Sequence, residues 1–156
     1  MKRWVLYIAL FLGVAIFGAI PFRGTDIAEL APVEVVWLSQ SGGRVHLETD
    51  TGDMGEGENV QAALNDMKAA APGAVFLDTA DFLIVEQGGE ELLTQVYDVL
   101  RPTCMVCISK KLPDMEAAAE FLAAHEPELS LRQYRVEKGT LPELIEKEGR
   151  FMWNAE

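Results

Sequence analysis

The chain has 156 residues, of which 49% are hydrophobic and 24% charged: one domain's length, with the composition of a folded rather than a disordered protein. Its formal net charge is −12, and the charge is unevenly placed. All 25 acidic residues lie beyond position 24, against ten basic residues after Arg23. A body this acidic is repelled by nucleic-acid phosphates and by anionic headgroups, so no nucleic-acid partner is expected.

Residues 4–22, WVLYIALFLGVAIFGAIPF, carry no charge. As a helix they span about 28 Å at about 1.5 Å per residue, close to the hydrocarbon thickness of a bilayer. Lys2 and Arg3 precede the run, which favours a cytoplasmic N-terminus. A cleaved signal peptide is the competing reading, but cutting after Gly18 places Ile16 at the minus-three position and cutting after Ala31 places Glu29 there. The run has no polar face, which argues against a buried helix of a soluble protein. The expected organisation is a transmembrane anchor over 1–23, a linker over 24–32 and a single extracytoplasmic domain over 33–156, a single-pass membrane protein.

Val33–Ser39 is rich in β-branched and aromatic residues, Arg44–Thr49 alternates apolar and polar, and Ser41-Gly42-Gly43 lies between them, a hairpin signal. Asp50–Asn59 reads as an acidic, glycine-rich loop. Val60, Ala63, Leu64, Met67 and Ala71 then share one helical face, with Asn59 as N-cap and Pro72-Gly73 as the stop. Ala74–Leu77 and Phe82–Val85 are strand-like runs around the turn Asp78–Asp81. Gly88-Gly89 opens a helix with Leu92, Leu93, Val96, Tyr97 and Leu100 on one side. Thr103–Ser109 reads as a strand, Asp114 as the cap of a helix ending before Pro127, Leu129–Val136 as a strand, and Thr140–Glu148 as a last short helix. The pattern predicts an α/β fold: a leading β-hairpin, then alternating helices and strands (β-β-α-β-α-β-α-β-α) on a mixed sheet.

No constellation points firmly to chemistry. Asp50, Asp53, Glu56 and Glu58 offer carboxylates for calcium, but their spacing does not fit an EF-hand loop, and acidic residues before a helix favour its N-terminus. The same carboxylates would repel a phosphate cradled by the glycines. Cys104 and Cys107 form a C-x-x-C. On a strand, however, residues three apart face opposite sides about 10 Å apart, too far for a disulfide, and no second ligand pair exists for zinc. His46 and His125 are each alone in their segments and fit no triad order. Asp78 and Asp81 read as turn residues bonded to their own backbone rather than an acid–base pair. Phe151 and Trp153 either pack back on the body or meet a partner. No catalytic, cofactor-binding or metal-binding residue is assigned, no cofactor is expected, and the chain is read as a non-enzyme.

A strand, a glycine loop with its helix (EGENVQAALNDM), a strand and following helix (DFLIVEQGGEELL) and the turn VLRPTCMV together resemble the N-terminal domain of the Ger(x)C family, the C-subunits of spore germinant receptors. The resemblance spans about Val45 to Leu122. It implies an α/β domain held at the outer face of a membrane, a link to spore germination or sporulation, and no catalytic residues. Members of that family are usually lipoproteins with a cysteine after the signal, whereas the first cysteine here is Cys104, and they carry two further domains. The expected function is that of a membrane-anchored interaction module with a protein partner in a membrane complex. Two other readings compete with it. One is a small-molecule sensor with a crevice near Asp78–Asp81 and the loop after Ser109; the other is a thiol- or metal-dependent enzyme.

Overall fold

The computed structural model describes residues 32–154 and Trp4. Apart from Trp4 and Pro32, the proposed anchor over 1–23 and the linker over 24–32 lie outside the described residues. Among the described residues no helix is long and apolar enough to cross a membrane.

Strands β1 (Val35–Ser41) and β2 (Arg44–Thr49) form the expected antiparallel hairpin, closed by Gly42 and Gly43 at φ of 60° and 79°. Positive φ at both turn residues matches the right-handed twist of the strands it joins. A short strand, β3 (Met54–Gly57), pairs antiparallel with β2 and leads into α1 (Val60–Ala70). Asn59 caps α1 by accepting the Ala62 N–H at 2.8 Å, and the helix stops at Ala71, which Pro72 holds extended.

Beyond α1, a 3-10 turn over Leu77–Thr79 precedes β4 (Phe82–Glu86). A second 3-10 turn, Glu90–Leu92, runs into the single turn α2 (Leu93–Val96), and β5 (Met105–Ser109) follows. Helix α3 (Met115–Ala124) is capped by Asp114, which accepts the Ala117 N–H at 3.1 Å. Helix α4 (Leu131–Glu137) and the hairpin β6 (Leu144–Lys147)–β7 (Arg150–Trp153) complete the described chain.

The main sheet is mixed and five-stranded, in the order β3-β2-β1-β4-β5, with β1, β4 and β5 parallel. Two apolar clusters lie on its two faces. On one, Val36, Leu38, Val45, Leu47, Leu83, Val85 and Val106 pack against α1, α2 and Leu131 of α4. On the other, Val35, Trp37, Phe82, Ile84 and Cys107 pack against α3 and Leu144. Each fully buried Leu or Ile in these clusters stabilises by about 1.5–3 kcal/mol. The outer edge of β5 is covered: the Val106 N–H bonds to the Leu129 carbonyl at 2.8 Å and the Ile108 N–H to the Pro142 carbonyl at 2.9 Å.

Four expectations are corrected. Asp50–Asn59 is not a loop throughout, because it contains β3. Ala74–Leu77 is not a strand. Val75 and Leu77 are buried as an apolar run should be, but the Thr79 hydroxyl bonds to the Phe76 carbonyl at 2.7 Å and closes a turn. Leu129–Val136 is a helix with a capping box: Ser130 Oγ accepts the Gln133 N–H, and Gln133 Oε1 accepts the Ser130 N–H at 2.9 Å. Thr140–Glu148 is a hairpin strand, with Glu148 and Gly149 turning at φ of 53° and 72°.

Candidate functional site

The two faces of the sheet are covered unequally. α1 lies so close on β3 that an added Cβ at Gly55 would fall 2.2 Å from the Ala63 carbonyl oxygen, and one at Gly57 would fall 2.4 Å from the Ala63 nitrogen. Gly55 and Gly57 therefore serve helix packing. On the opposite face of β2 and β3 no helix lies among the described residues. There the alternation of both strands turns Arg44, His46, Glu48, Met54 and Glu56 outward.

This open face forms one side of a groove of about 310 Å³, bounded also by Trp37 and Ser39 of β1, Glu86 at the end of β4, and Leu112 on the way to α3. The groove sits at the carboxyl ends of the parallel strands, where open α/β sheets take their ligands. Ser39, His46 and Glu56 are register partners in one row across three strands. His46 Nδ1 lies 3.1 Å from Glu56 Oε1, Arg44 Nε lies 3.8 Å from Glu56 Oε2, and the Glu56 N–H donates to Asp66 Oδ2 of α1 at 3.0 Å. The row has the residue types of a Ser-His-Glu triad, yet among the described residues no hydrogen bond joins Ser39 to His46, so the serine is not activated. Glu48, Glu56 and Glu86 line the groove, Arg44 pairs with Glu56 beside it, and Met54 is 62% and Leu112 43% exposed. The groove thus combines an acidic rim with two exposed apolar side chains.

The carboxylates of the stretch 50–58 do not converge. Both oxygens of Asp50 accept the Glu34 N–H, at 3.1 and 3.2 Å, fixing the start of β1; Asp53 Oδ2 accepts the Thr51 hydroxyl at 3.0 Å. Among the described residues no three His, Cys, Asp or Glu side chains gather as a metal-ligand set. Asp81 is ion-paired with Arg101, whose Nε also donates to the Ala80 carbonyl at 3.0 Å, so it is held by a side chain rather than by its own turn. Asp81 and Ser109 lie at opposite ends of the parallel strands, β4 beginning just after the one and β5 ending at the other. A single crevice cannot include both. A separate cleft of about 450 Å³ at the amino ends, lined by Glu34, Asp81, Arg101 and Glu126, belongs to the Asp81 end.

Cys104 and Cys107 are buried in different clusters on the two faces of the sheet. Burial pushes the Cys104 thiol up to about 12, with a smaller opposing pull from Arg101; Cys107 is pushed higher still by burial, with Cys104 adding to it. A nucleophilic or redox thiol needs the thiolate, which these environments disfavour. His125 caps α3, stacking on Phe121 at 4.7 Å. Phe151 and Trp153 pack back on Phe121, with ring centroids 6.1 and 5.6 Å away. That hairpin is tied to the β5–α3 connection by Lys110–Glu143 and Lys111–Glu146 pairs at 3.0 Å. Glu143 is held below its ordinary carboxylate range by its bonds to Lys110 and then Asn154.

The groove is not visible in the sequence because its side chains come from five separate segments. The one local signal was the outward set of the alternating run Arg44–Thr49.

With this geometry in view, comparison with protein-family models, with curated proteins and with solved structures finds no match.

Proposed function

We propose that the chain is a non-enzymatic interaction module, held at a membrane by its N-terminal apolar run with the acidic domain extracytoplasmic, and that it binds a protein partner through the open face of β2 and β3. The observation that carries this reading is the pair Met54 and Leu112, exposed over a groove whose rim is acidic. The partner segment that fits is basic with an apolar residue, so that its charges meet Glu48, Glu56 and Glu86 while its side chain covers Met54 and Leu112. Placement also supports the reading. The chain enters the domain at the amino end of β1, whose seven residues carry it about 20 Å to the groove end. The groove thus lies at the far end of β1 from the point where the chain enters the domain. The link to spore germination rests on the family resemblance alone.

Two measurements test the proposal with the full-length chain. Carbonate extraction of membranes should leave the protein in the pellet; release into the supernatant would remove the anchor. Partner recovery from solubilised membranes should fall with rising salt and be lost in a Glu48→Gln, Glu56→Gln, Glu86→Gln variant. Recovery that ignores both would remove the groove as the docking surface.

A further inference from the structure

A second concavity, unrelated to the groove, lies where the segment after β4 meets α4. It measures about 290 Å³ and is lined by Tyr97, Leu100, Pro102, Leu131, Arg132 and Arg135. Leu100 and Leu131 form an apolar floor that is part of the main core. The Arg132 N–H bonds to the Pro102 carbonyl at 3.0 Å and fixes the start of α4 against this wall. The Arg135 guanidinium lies over the Tyr97 ring, 5.0 Å from its centroid. That stacking holds the planar fork in place while leaving its edge N–H groups free to donate.

The charges here are the opposite of those in the groove. In a chain of net charge −12, two arginines stand at the mouth of an apolar pocket. The ion pairs among the described residues engage Arg44, Arg101, Lys110 and Lys111, not Arg132 or Arg135. An arginine pair without a carboxylate, above an apolar floor, is complementary to a molecule with an apolar body and an anionic head. Size narrows the class: an apolar cavity of about 150 Å³ holds a benzene ring, so this pocket accommodates a ring with a short chain.

We propose that the pocket between α2 and α4 binds a small amphipathic carboxylate, its apolar body on Leu100, Leu131 and Tyr97 and its carboxylate between Arg132 and Arg135. The site is independent of the partner-binding groove and lies elsewhere than the crevice at the carboxyl ends of the parallel strands. Ligand binding and partner binding therefore fail or survive separately.

The test is an NMR titration of the full-length chain in zwitterionic nanodiscs with three matched probes: 4-phenylbutyrate, 4-phenyl-1-butanol and 4-phenylbutylamine. The butyrate should shift the Tyr97 and Leu131 signals with a Kd at or below ~1 mM, as expected for so small a ligand. The alcohol and the amine should bind at least about tenfold more weakly for want of charge-assisted bonds. Both arginine side chains are exposed, so an Arg132→Gln, Arg135→Gln variant should fold unchanged and bind the butyrate about tenfold more weakly. Equal binding of the three probes, no loss in the variant, or no shift at Tyr97 and Leu131 would each overturn the proposal.

Discussion

The two halves of the sheet solve the same packing problem differently. β4 and β5 are covered on both faces, by the α2 side and by α3, and their sequences FLIVE and MVCIS are nearly continuous apolar runs. β2 and β3 are covered on one face only, by α1, and they alternate: buried Val45 and Leu47 against outward Arg44, His46 and Glu48, with Gly55 and Gly57 beneath the helix and Met54 and Glu56 outside. The doubly covered half has no sheet face left open, only its strand ends. The singly covered half carries side chains that stability does not require, and there a recognition surface can exist at little cost to the fold.

Substitutions in the two halves should separate accordingly. The largest effect is expected under α1. Gly55→Ala brings a methyl group against the backbone of Ala63 and Met67 and should cost about 3 kcal/mol by overpacking, read as a lowered urea midpoint. Gly42→Ala, at a positive φ but in open space, should cost only about 1 kcal/mol. Equal costs would mean that α1 does not sit on β3 as described.

Next comes Cys107→Ser in the doubly covered half, which buries a hydroxyl in an apolar cluster and should cost about 2 kcal/mol. The same burial predicts a pH response. Both thiols are raised above the ordinary value of 9.0, so their contribution is fully present below pH 9.0 and declines as the pH rises from there toward about 12, where Cys104 titrates in the folded chain. Stability that stays flat through this range would contradict the burial. Glu143 has the opposite sign. Its folded value lies below the ordinary 4.5, so its contribution is present above pH 4.5 and is lost as the pH falls through the lowered value. Thermal melts should show this acid loss in the native chain and not in Glu143→Gln.

The smallest stability effect belongs to the open face. Glu56→Gln breaks a pair whose partners are substantially exposed and should change stability by no more than about 1 kcal/mol, while weakening partner binding.

Part of this fold was legible in the chain. The hairpin Val35–Thr49, helix α1 with its Asn59 cap, and strands β4 and β5 followed from alternation, periodicity and apolar runs, which are local signals. The misread elements were decided by partners. Gly55 and Gly57 recur at a strand's period of two, but glycine has low strand propensity, and its purpose here is set by a helix five to twelve residues on. Leu129–Val136 alternates like a strand, yet the Ser130–Gln133 box was a competing local signal and prevailed. β6 and β7 were missed because the two-residue Glu148-Gly149 turn joins strands of only four residues. The site was the least legible part. His46 stands alone in its segment of the sequence, and only strand register brings it to Glu56 and Ser39.

Docking on the open half of the sheet can be read from a photo-crosslinking residue placed at Met54 and, separately, at Val136, which is 78% exposed on α4, in the full-length chain in its native membranes. A discrete protein adduct is expected from position 54, none from position 136, and loss of the adduct when Glu48, Glu56 and Glu86 are replaced by Gln. Adducts of equal yield at both positions, or none at position 54, would contradict it.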